Sequence, residues 1–373
     1  MKIGLVCPYT INKHGGVLEV ILALQEGLSQ RGHDVKIITP MPRGDKDIEH
    51  PDAIFIGTST DIRSPSHTTG QISSISDNEK VDEIFKKEKF DVLHFHEPWV
   101  PFLSRQLLQR SHAVNIGTFH SKTPETVVSR TYLKVVTPYL KSVMKYLQVL
   151  TAVSDSGAEY AASLTELPIT IIPNGIDLDK YKKRSMRKKD TEKTILYIGR
   201  LEKRKGAKHL LRAFQVFSQD NPDVKLLIAG DGPEREKLEM LTEDLKIHNV
   251  SFLGYISEEL KLQLLSEADI FCSPALYGES FGIVLLEAMA TGTVTIAGNN
   301  SGYADLMQGI GALSIVNPED TQEFARRLQL MLHEPKVRKL WQDWAAGYVA
   351  QFENPIIVDQ YEALYEDSLK QYG

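Results

Sequence analysis

The stretch Thr170-Ile171-Ile172-Pro173-Asn174-Gly175, followed beyond a lysine-rich run from Lys180 to Lys189 by Thr194-Ile195-Leu196-Tyr197-Ile198-Gly199, decides how this chain is divided. A short β-branched run stops at a Pro-Asn-Gly turn signal, a basic stretch intervenes, and a strand then begins afresh. The same rhythm recurs on both sides. Upstream the apolar runs are Ile3 to Cys7, Val35 to Thr39, Val92 to His96, Asn115 to Thr118 and Val149 to Val153. Downstream they are Val224 to Ala229, Val250 to Leu253, Ile270 to Ser273 and Val294 to Ala297, and helix-length amphipathic stretches follow these runs. Near-continuous apolar strands alternating with helices argue for parallel sheets covered on both faces. The expected fold class is α/β, with two Rossmann-like doubly wound parallel-sheet domains over residues 1–172 and 173–351.

The bulk properties agree with two domains. A chain of 373 residues exceeds what one hydrophobic core usually fills. With 42% hydrophobic and 25% charged residues, the composition is that of a soluble globular protein. A net charge of −6 gives no global attraction to nucleic acid. Cys7 and Cys272 are far apart and form no CxxC, so neither a disulfide framework nor a zinc site is indicated and a reducing compartment fits. The run Ile3 to Cys7, ending at Pro8, is too short for a signal sequence, and the most apolar stretch, Phe281 to Ala297, contains Glu287. A cytoplasmic location is expected, with contact on the inner membrane face left open. The polar stretch from Gly44 to Asn78 is read as long loops with one hairpin. Beyond Pro355, residues Ile357, Tyr361, Leu364, Tyr365 and Leu369 share a helical face that needs an apolar surface to cover.

The most informative site segment is Gly278-Glu279-Ser280-Phe281-Gly282-Ile283-Val284-Leu285-Leu286-Glu287. Its glycines and small polar residues open a helix, so the amides from Ser280 to Ile283 are expected as first-turn donors for phosphate or sugar oxygens. Glu287 sits among Leu285, Leu286, Ala288 and Met289, where a carboxylate needs donors such as ribose hydroxyls. Arg200 and Lys205 follow the strand ending at Gly199, at the edge where open α/β sheets bind ligands. A guanidinium and an ammonium together suit a diphosphate. In the first half, His14-Gly15-Gly16-Val17 opens a helix after the first strand, and glycines there let backbone approach a phosphate. His120 ends its strand at the corresponding edge. Gly254-Tyr255-Ile256 ends another and can present backbone groups to a nucleotide base.

Three patterns compete with these. Gly278-Glu-Ser280-Phe-Gly282 matches the nucleophile elbow of serine hydrolases, but Pro274 to Tyr277 interrupts the required strand entry and the only later histidine is His333. Asp177-Leu-Asp179 resembles a metal-binding acid pair, yet it follows the Pro-Asn-Gly turn and reads as a local cap. His94, His96 and Glu97 alternate on a strand but lack a further zinc ligand at sensible spacing.

Taken together, CPYxxxxGG, DVLHFHEP, GTFHS, PNGIDLDKY, the Arg-x4-Lys of GRLEKRKG, GDGP, FLG and the E-x7-E of GESFGIVLLE resemble the retaining family 4 glycosyltransferases. The likeness covers essentially the whole chain. It implies a GT-B fold, two domains facing a central cleft, with the C-terminal helix, residues 352–373, packing back on the first domain. It also implies a nucleotide-sugar donor and no metal or other cofactor. On this resemblance Glu287 binds the ribose, Glu279 the transferred sugar, Arg200 and Lys205 the diphosphate, Gly16 the diphosphate from the other domain, and His120 a sugar hydroxyl. Within the family, MKIGLVCPYTxxxxGGV, HFHEPWVP and GESFGIVLLEAMATGT look most like phosphatidylinositol α-mannosyltransferases. That implies GDP-mannose as donor, with a UDP-sugar as the alternative, and a lipid or glycan acceptor near Tyr9. The family's lysine after the catalytic-domain histidine falls here on Glu125, with Lys122 nearby. Lys80, Lys86, Lys87 and Lys89, on a helix with Val81, Ile84 and Phe85, would suit contact with an anionic membrane, but Asp82, Glu83 and Glu88 interrupt that face and favour an ordinary solvated helix.

Overall fold

The computed structural model describes residues 1–12, 15–42, 50–63, 69–122, 127–182 and 192–373. The chain forms two compact units, Met1–Gly175 with Asn354–Gly373, and Ile176–Glu353. In the first unit the strands are β1 (Lys2–Val6), β2 (Asp34–Met41), β3 (Ala53–Arg63), β4 (Thr69–Ser73), β5 (Val92–His96), β6 (Val114–Phe119), β7 (Val149–Ala152) and β8 (Ile169–Ile171). They form one sheet in the order β4-β3-β2-β1-β5-β6-β7-β8, parallel except for the antiparallel pair β3 and β4. Strands β5 and β6 are buried along their whole length, the environment their apolar runs require.

The second unit has β9 (Thr194–Ile198), β10 (Lys225–Ala229), β11 (Val250–Gly254), β12 (Ile270–Ser273), β13 (Val294–Gly298) and β14 (Ile315–Val316). Their order is β11-β10-β9-β12-β13-β14, with every neighbouring pair parallel. Each sheet reverses its winding beside its first strand. In the first unit the reversal lies between β1 and β5, and in the second between β9 and β12. Open α/β sheets bind ligands outside the carboxyl ends of the strands at such a switch point.

One expectation needs correcting. Between Gly44 and Asn78 the described residues hold more order than loops with one hairpin, because β3 runs eleven residues, pairs in parallel with β2 and pairs antiparallel with β4. Its register shift after Thr39 and its sequence Gly57-Thr-Ser-Thr60 hide the apolar alternation of a strand near a sheet edge. The helix Asn78–Glu88 spends its apolar face internally, as an ordinary solvated helix does. Val81 is fully buried, and Ile84 and Phe85 pack against the core of the first unit, leaving Lys80, Lys86, Lys87 and Lys89 exposed. No described helix is long and apolar enough to cross a membrane.

The helix Asn354–Tyr372 belongs to the first unit. It buries Ile357, Val358, Tyr361, Tyr365 and Ser368, a stripe with helical spacing, and touches the helix Gly16–Gln30. Arg31 pairs with Asp359 and Glu362 at 2.6 and 2.5 Å, and His33 Nε2 meets Glu362 at 2.7 Å.

Candidate functional site

In the second unit, the loops after β9 and β12 are locked together at the switch point. Leu276 donates its N–H to the Arg204 carbonyl at 2.8 Å. Gly206, at φ +74°, lies where a Cβ would come within 1.9 Å of the Pro274 carbonyl oxygen, so only glycine permits this approach. The result brings Lys205 and Glu279 into contact, with Lys205 Nζ 2.7 Å from Glu279 Oε1. Arg204 reaches the same oxygen at 2.6 Å and also binds Glu202. Glu202 in turn pairs with Arg200 at 3.5 Å. The sequence-predicted residues Arg200, Lys205 and Glu279 thus share one alternating chain of charge.

Arg204 was not among the expected site residues. Its neighbours in the charged loop made it look like one more solvated cation, whereas its guanidinium is largely enclosed and bridges two carboxylates. Burial acts to raise the Glu279 pKa, but Lys205 and Arg204 outweigh it and hold the carboxyl below its ordinary range. Glu279 is therefore ionised, and a fixed anion with two cations presents hydrogen-bonding groups of both signs.

The helix carrying Glu287 begins at Ile283, later than expected, because Gly282 at φ +101° occupies the N-cap. Ser280, Phe281 and Gly282 lie in the approach to the helix, and Ile283 is its first residue. Gly282 makes no side-chain cap. Glu287 is buried, and its Oε1 accepts from Tyr181 OH and from Lys261 Nζ, both at 2.8 Å. Neither partner was legible beforehand, since Tyr181 and Lys261 lie 106 and 26 residues away. Burial would lower the Lys261 pKa, but Glu287 and Glu258 reverse the effect and hold it protonated. Gly254 ends β11 at φ +69° and receives the Gly230 N–H on its carbonyl at 2.7 Å. Beyond it Tyr255 is 82% exposed, and Ile256 is half-buried.

The same edge of the first sheet collects Tyr9 after β1, Glu97 after β5, and His120 and Lys122 after β6. Gly15 caps the helix Gly16–Gln30 with extended backbone, and both glycines are exposed. His14 and Glu125 lie outside the described residues, as does 183–189 of the basic run. Lys122 Nζ is 3.2 Å from Glu159. Glu97 holds the left-handed conformation, φ +51°, a costly backbone state for a non-glycine residue. Its Oε1 accepts the His120 N–H at 2.9 Å and the Ser121 hydroxyl at 2.6 Å. Burial nevertheless raises the carboxyl to about 7, against the pull of those hydrogen bonds.

His94, His96 and His120 form a buried row. His96 Nδ1 lies 2.8 Å from His120 Nε2, and the His94 and His96 rings have centroids 4.1 Å apart. His94 Nδ1 meets Tyr365 OH at 2.7 Å, and its Nε2 meets Thr118 Oγ1 at 2.5 Å. Burial first, and the neighbouring imidazoles second, push His94 down to about 3 and His96 well below its ordinary value. Burial likewise lowers His120 to about 4, against a hydrogen bond to the Asn174 side chain. All three are neutral near pH 7. No group of three ligating side chains that could hold a metal gathers among the described residues, the His94, His96 and Glu97 set included.

The competing patterns resolve locally. Asp177 Oδ1 accepts the Lys180 N–H at 3.1 Å, as a cap does. His333 Nε2 binds Asn221 at 2.7 Å, so it serves the surface of the second unit rather than Ser280.

Residues 14–180 match the family described as Glycosyltransferase Family 4, and residues 179–346 match Glycosyl transferases group 1. The phosphatidyl-myo-inositol mannosyltransferase of Mycolicibacterium smegmatis is 32% identical over 94% of this chain and 88% of its own. The N-acetyl-alpha-D-glucosaminyl L-malate synthase of Bacillus anthracis is 27% identical over 99% of this chain and 98% of its own. Among solved structures, a sucrose-phosphate synthase from Thermosynechococcus elongatus superposes with a TM-score of 0.77 at 23% identity, covering 98% of each chain. The protein is thus a glycosyltransferase, a hexosyltransferase built on the GT-B fold. It belongs to glycosyltransferase family 4.

Proposed function

We propose that the protein transfers mannose from GDP-mannose to a hydroxyl of a phosphatidylinositol-like lipid headgroup, with retention at the anomeric carbon. The observation that carries the donor-site reading is the contact of Lys205 with the ionised Glu279 at the switch point of the second sheet. In this reading Glu279 holds hydroxyls of the transferred sugar, and Glu287, oriented by Lys261 and Tyr181, takes the ribose. Arg200 and Lys205 neutralise the diphosphate as it leaves, with backbone from Gly15, Gly16 and the segment Ser280, Phe281, Gly282 and Ile283 beside it. Gly254, Tyr255 and Ile256 face the base. His120 touches the sugar, and Tyr9 and Lys122 stand on the acceptor side. The cations supply the charge compensation, so no metal is required.

Front-face attack, with the departing phosphate taking the acceptor proton, needs no carboxylate nucleophile. Glu279, held by Arg204 and Lys205, is suited to binding rather than to forming a glycosyl ester. The 32% identical mannosyltransferase supports mannose and the lipid acceptor. The exposed Lys80, Lys86, Lys87 and Lys89 support an electrostatic approach to an anionic membrane on its cytoplasmic face.

The test is turnover of GDP-mannose with phosphatidylinositol vesicles in the presence of a chelator. Glu279→Ala and Lys205→Ala are expected to abolish product while keeping the thermal midpoint, and normal activity in either variant overturns the site. The product's anomeric configuration, read by NMR, checks retention. A second reading is a UDP-sugar donor with a soluble acceptor; the 27% identical N-acetyl-alpha-D-glucosaminyl L-malate synthase supports the soluble acceptor, and preferential binding of UDP over GDP selects this reading. Rapid consumption of donor without acceptor would mark an epimerase or hydrolase instead.

A further inference from the structure

The ring of His96, hydrogen-bonded to His120 through Nδ1, has its other nitrogen, Nε2, buried without a hydrogen-bond partner among the described residues. That atom determines where the protons on the two imidazoles sit. Only one proton fits between His96 Nδ1 and His120 Nε2, since both rings are neutral and the atoms are 2.8 Å apart. If that proton belonged to His120, His96 would carry its own on Nε2, an N–H donor with no acceptor in a fully buried place. Orphaned buried N–H groups are rarer than unsatisfied acceptors. If the proton belongs to His96, its Nε2 is only a bare lone pair. His120 Nε2 then accepts, and its own proton lies on Nδ1.

We infer that His96 is a positioning residue that fixes His120 in the Nδ1-protonated tautomer, so that His120 meets its ligand as a hydrogen-bond donor and not as a base. The arrangement is braced from behind. His94 stacks on His96 and is itself pinned by Tyr365 and Thr118, while Glu97 holds the His120 backbone. The donor role rests on the proposed placement of His120 against the transferred sugar; the tautomer does not. A donating N–H at a sugar hydroxyl leaves the acceptor's proton to the departing phosphate, consistent with the front-face course proposed above.

The experiment reads the ¹⁵N and ¹H resonances of the imidazoles in the full-length protein, beside turnover of GDP-mannose with phosphatidylinositol vesicles. Wild type is expected to show neutral His120 protonated on Nδ1. In His96→Phe the resonance should shift toward the Nε2-protonated form, and kcat should fall about 10- to 100-fold with little change in KM for the donor. His96→Gln, whose amide can donate to the same nitrogen, should recover most of kcat. An Nε2-protonated His120 in wild type overturns the inference, as does His96→Phe with unchanged tautomer and kcat. If His96→Phe does not fold, the wild-type resonances still decide. If instead His120→Ala turns over normally while the wild-type tautomer is as stated, the placement of His120 against the sugar fails and the His96 assignment stands.

Discussion

Glu279 is held in place from beneath as well as by its two cations. Gly302 lies under it so closely that an added Cβ would meet the Glu279 carbonyl oxygen at 2.2 Å and its carbon at 2.6 Å. Backbone at that distance must move. Gly302→Ala is therefore expected to cost about 1–3 kcal/mol in urea unfolding and to lower turnover at least as strongly as stability, because the displaced backbone carries the carboxylate proposed to bind the sugar. Gly347→Ala, where the new methyl meets nothing within 4 Å, is the control and should be neutral or stabilise by about 0.4–1 kcal/mol. Equal behaviour of the two variants would remove the claim that Gly302 supports the site. The histidine row gives a pH dependence. An unfolded chain protonates its histidines below 6.5, whereas His94 and His120 resist down to about 3 and about 4 in the folded state. The unfolded state then binds more protons, so stability is lost as pH falls from 6.5 toward 4. Glu97 acts in the opposite sense, keeping a proton up to about 7 that an unfolded chain releases near 4.5, but three histidines outnumber it. The thermal midpoint should fall on acidification through this window, and His94→Gln should flatten the slope by about one proton.

At the scale of elements, the C-terminal helix Asn354–Tyr372 joins the packing of the first unit to its chemistry. Tyr361 and Tyr365 are both fully enclosed, and Tyr365 also supplies the partner of His94 Nδ1. Tyr365→Phe keeps the ring and removes only the hydroxyl, leaving a buried imidazole nitrogen unpaired. The expected cost is about 1–3 kcal/mol, measured by urea unfolding, and an unchanged midpoint would show that the hydrogen bond carries no weight. Arg31→Ala, which removes partly exposed ion pairs to Asp359 and Glu362, should cost less than about 1 kcal/mol. The helix itself was legible in the spacing of Ile357, Tyr361 and Tyr365, and the apolar runs marked most of the strands for what they are. Strand β3 was not legible, because Gly57-Thr-Ser-Thr60 near a sheet edge shows no alternation. Nor did the sequence show that Val81, Ile84 and Phe85 face inward, since an amphipathic helix reads the same whether its apolar side meets a core or a lipid.

At the scale of the whole molecule, each unit owns a parallel sheet, a switch point and a set of polar groups at that point. Ligand binding to the folded state raises apparent stability by mass action, about 2.7 kcal/mol at a hundredfold excess over Kd. GDP is expected to raise the thermal midpoint in a concentration-dependent way, more than UDP does, and Glu287→Ala should weaken the effect; a larger shift with UDP would replace the mannose reading. The sequence by itself determined the class, two doubly wound α/β units, because apolar periodicity and turn residues act over a few neighbouring positions and leave their mark there. It also marked the segment from Gly278 to Glu287 as polar groups set into a helix start. Only the tertiary structure decided what those groups meet: Arg204 between Glu202 and Glu279, Tyr181 and Lys261 on Glu287, and His96 against His120. Such pairings depend on which strands lie side by side, and strand order is set by packing across the whole sheet rather than by any local run of residues.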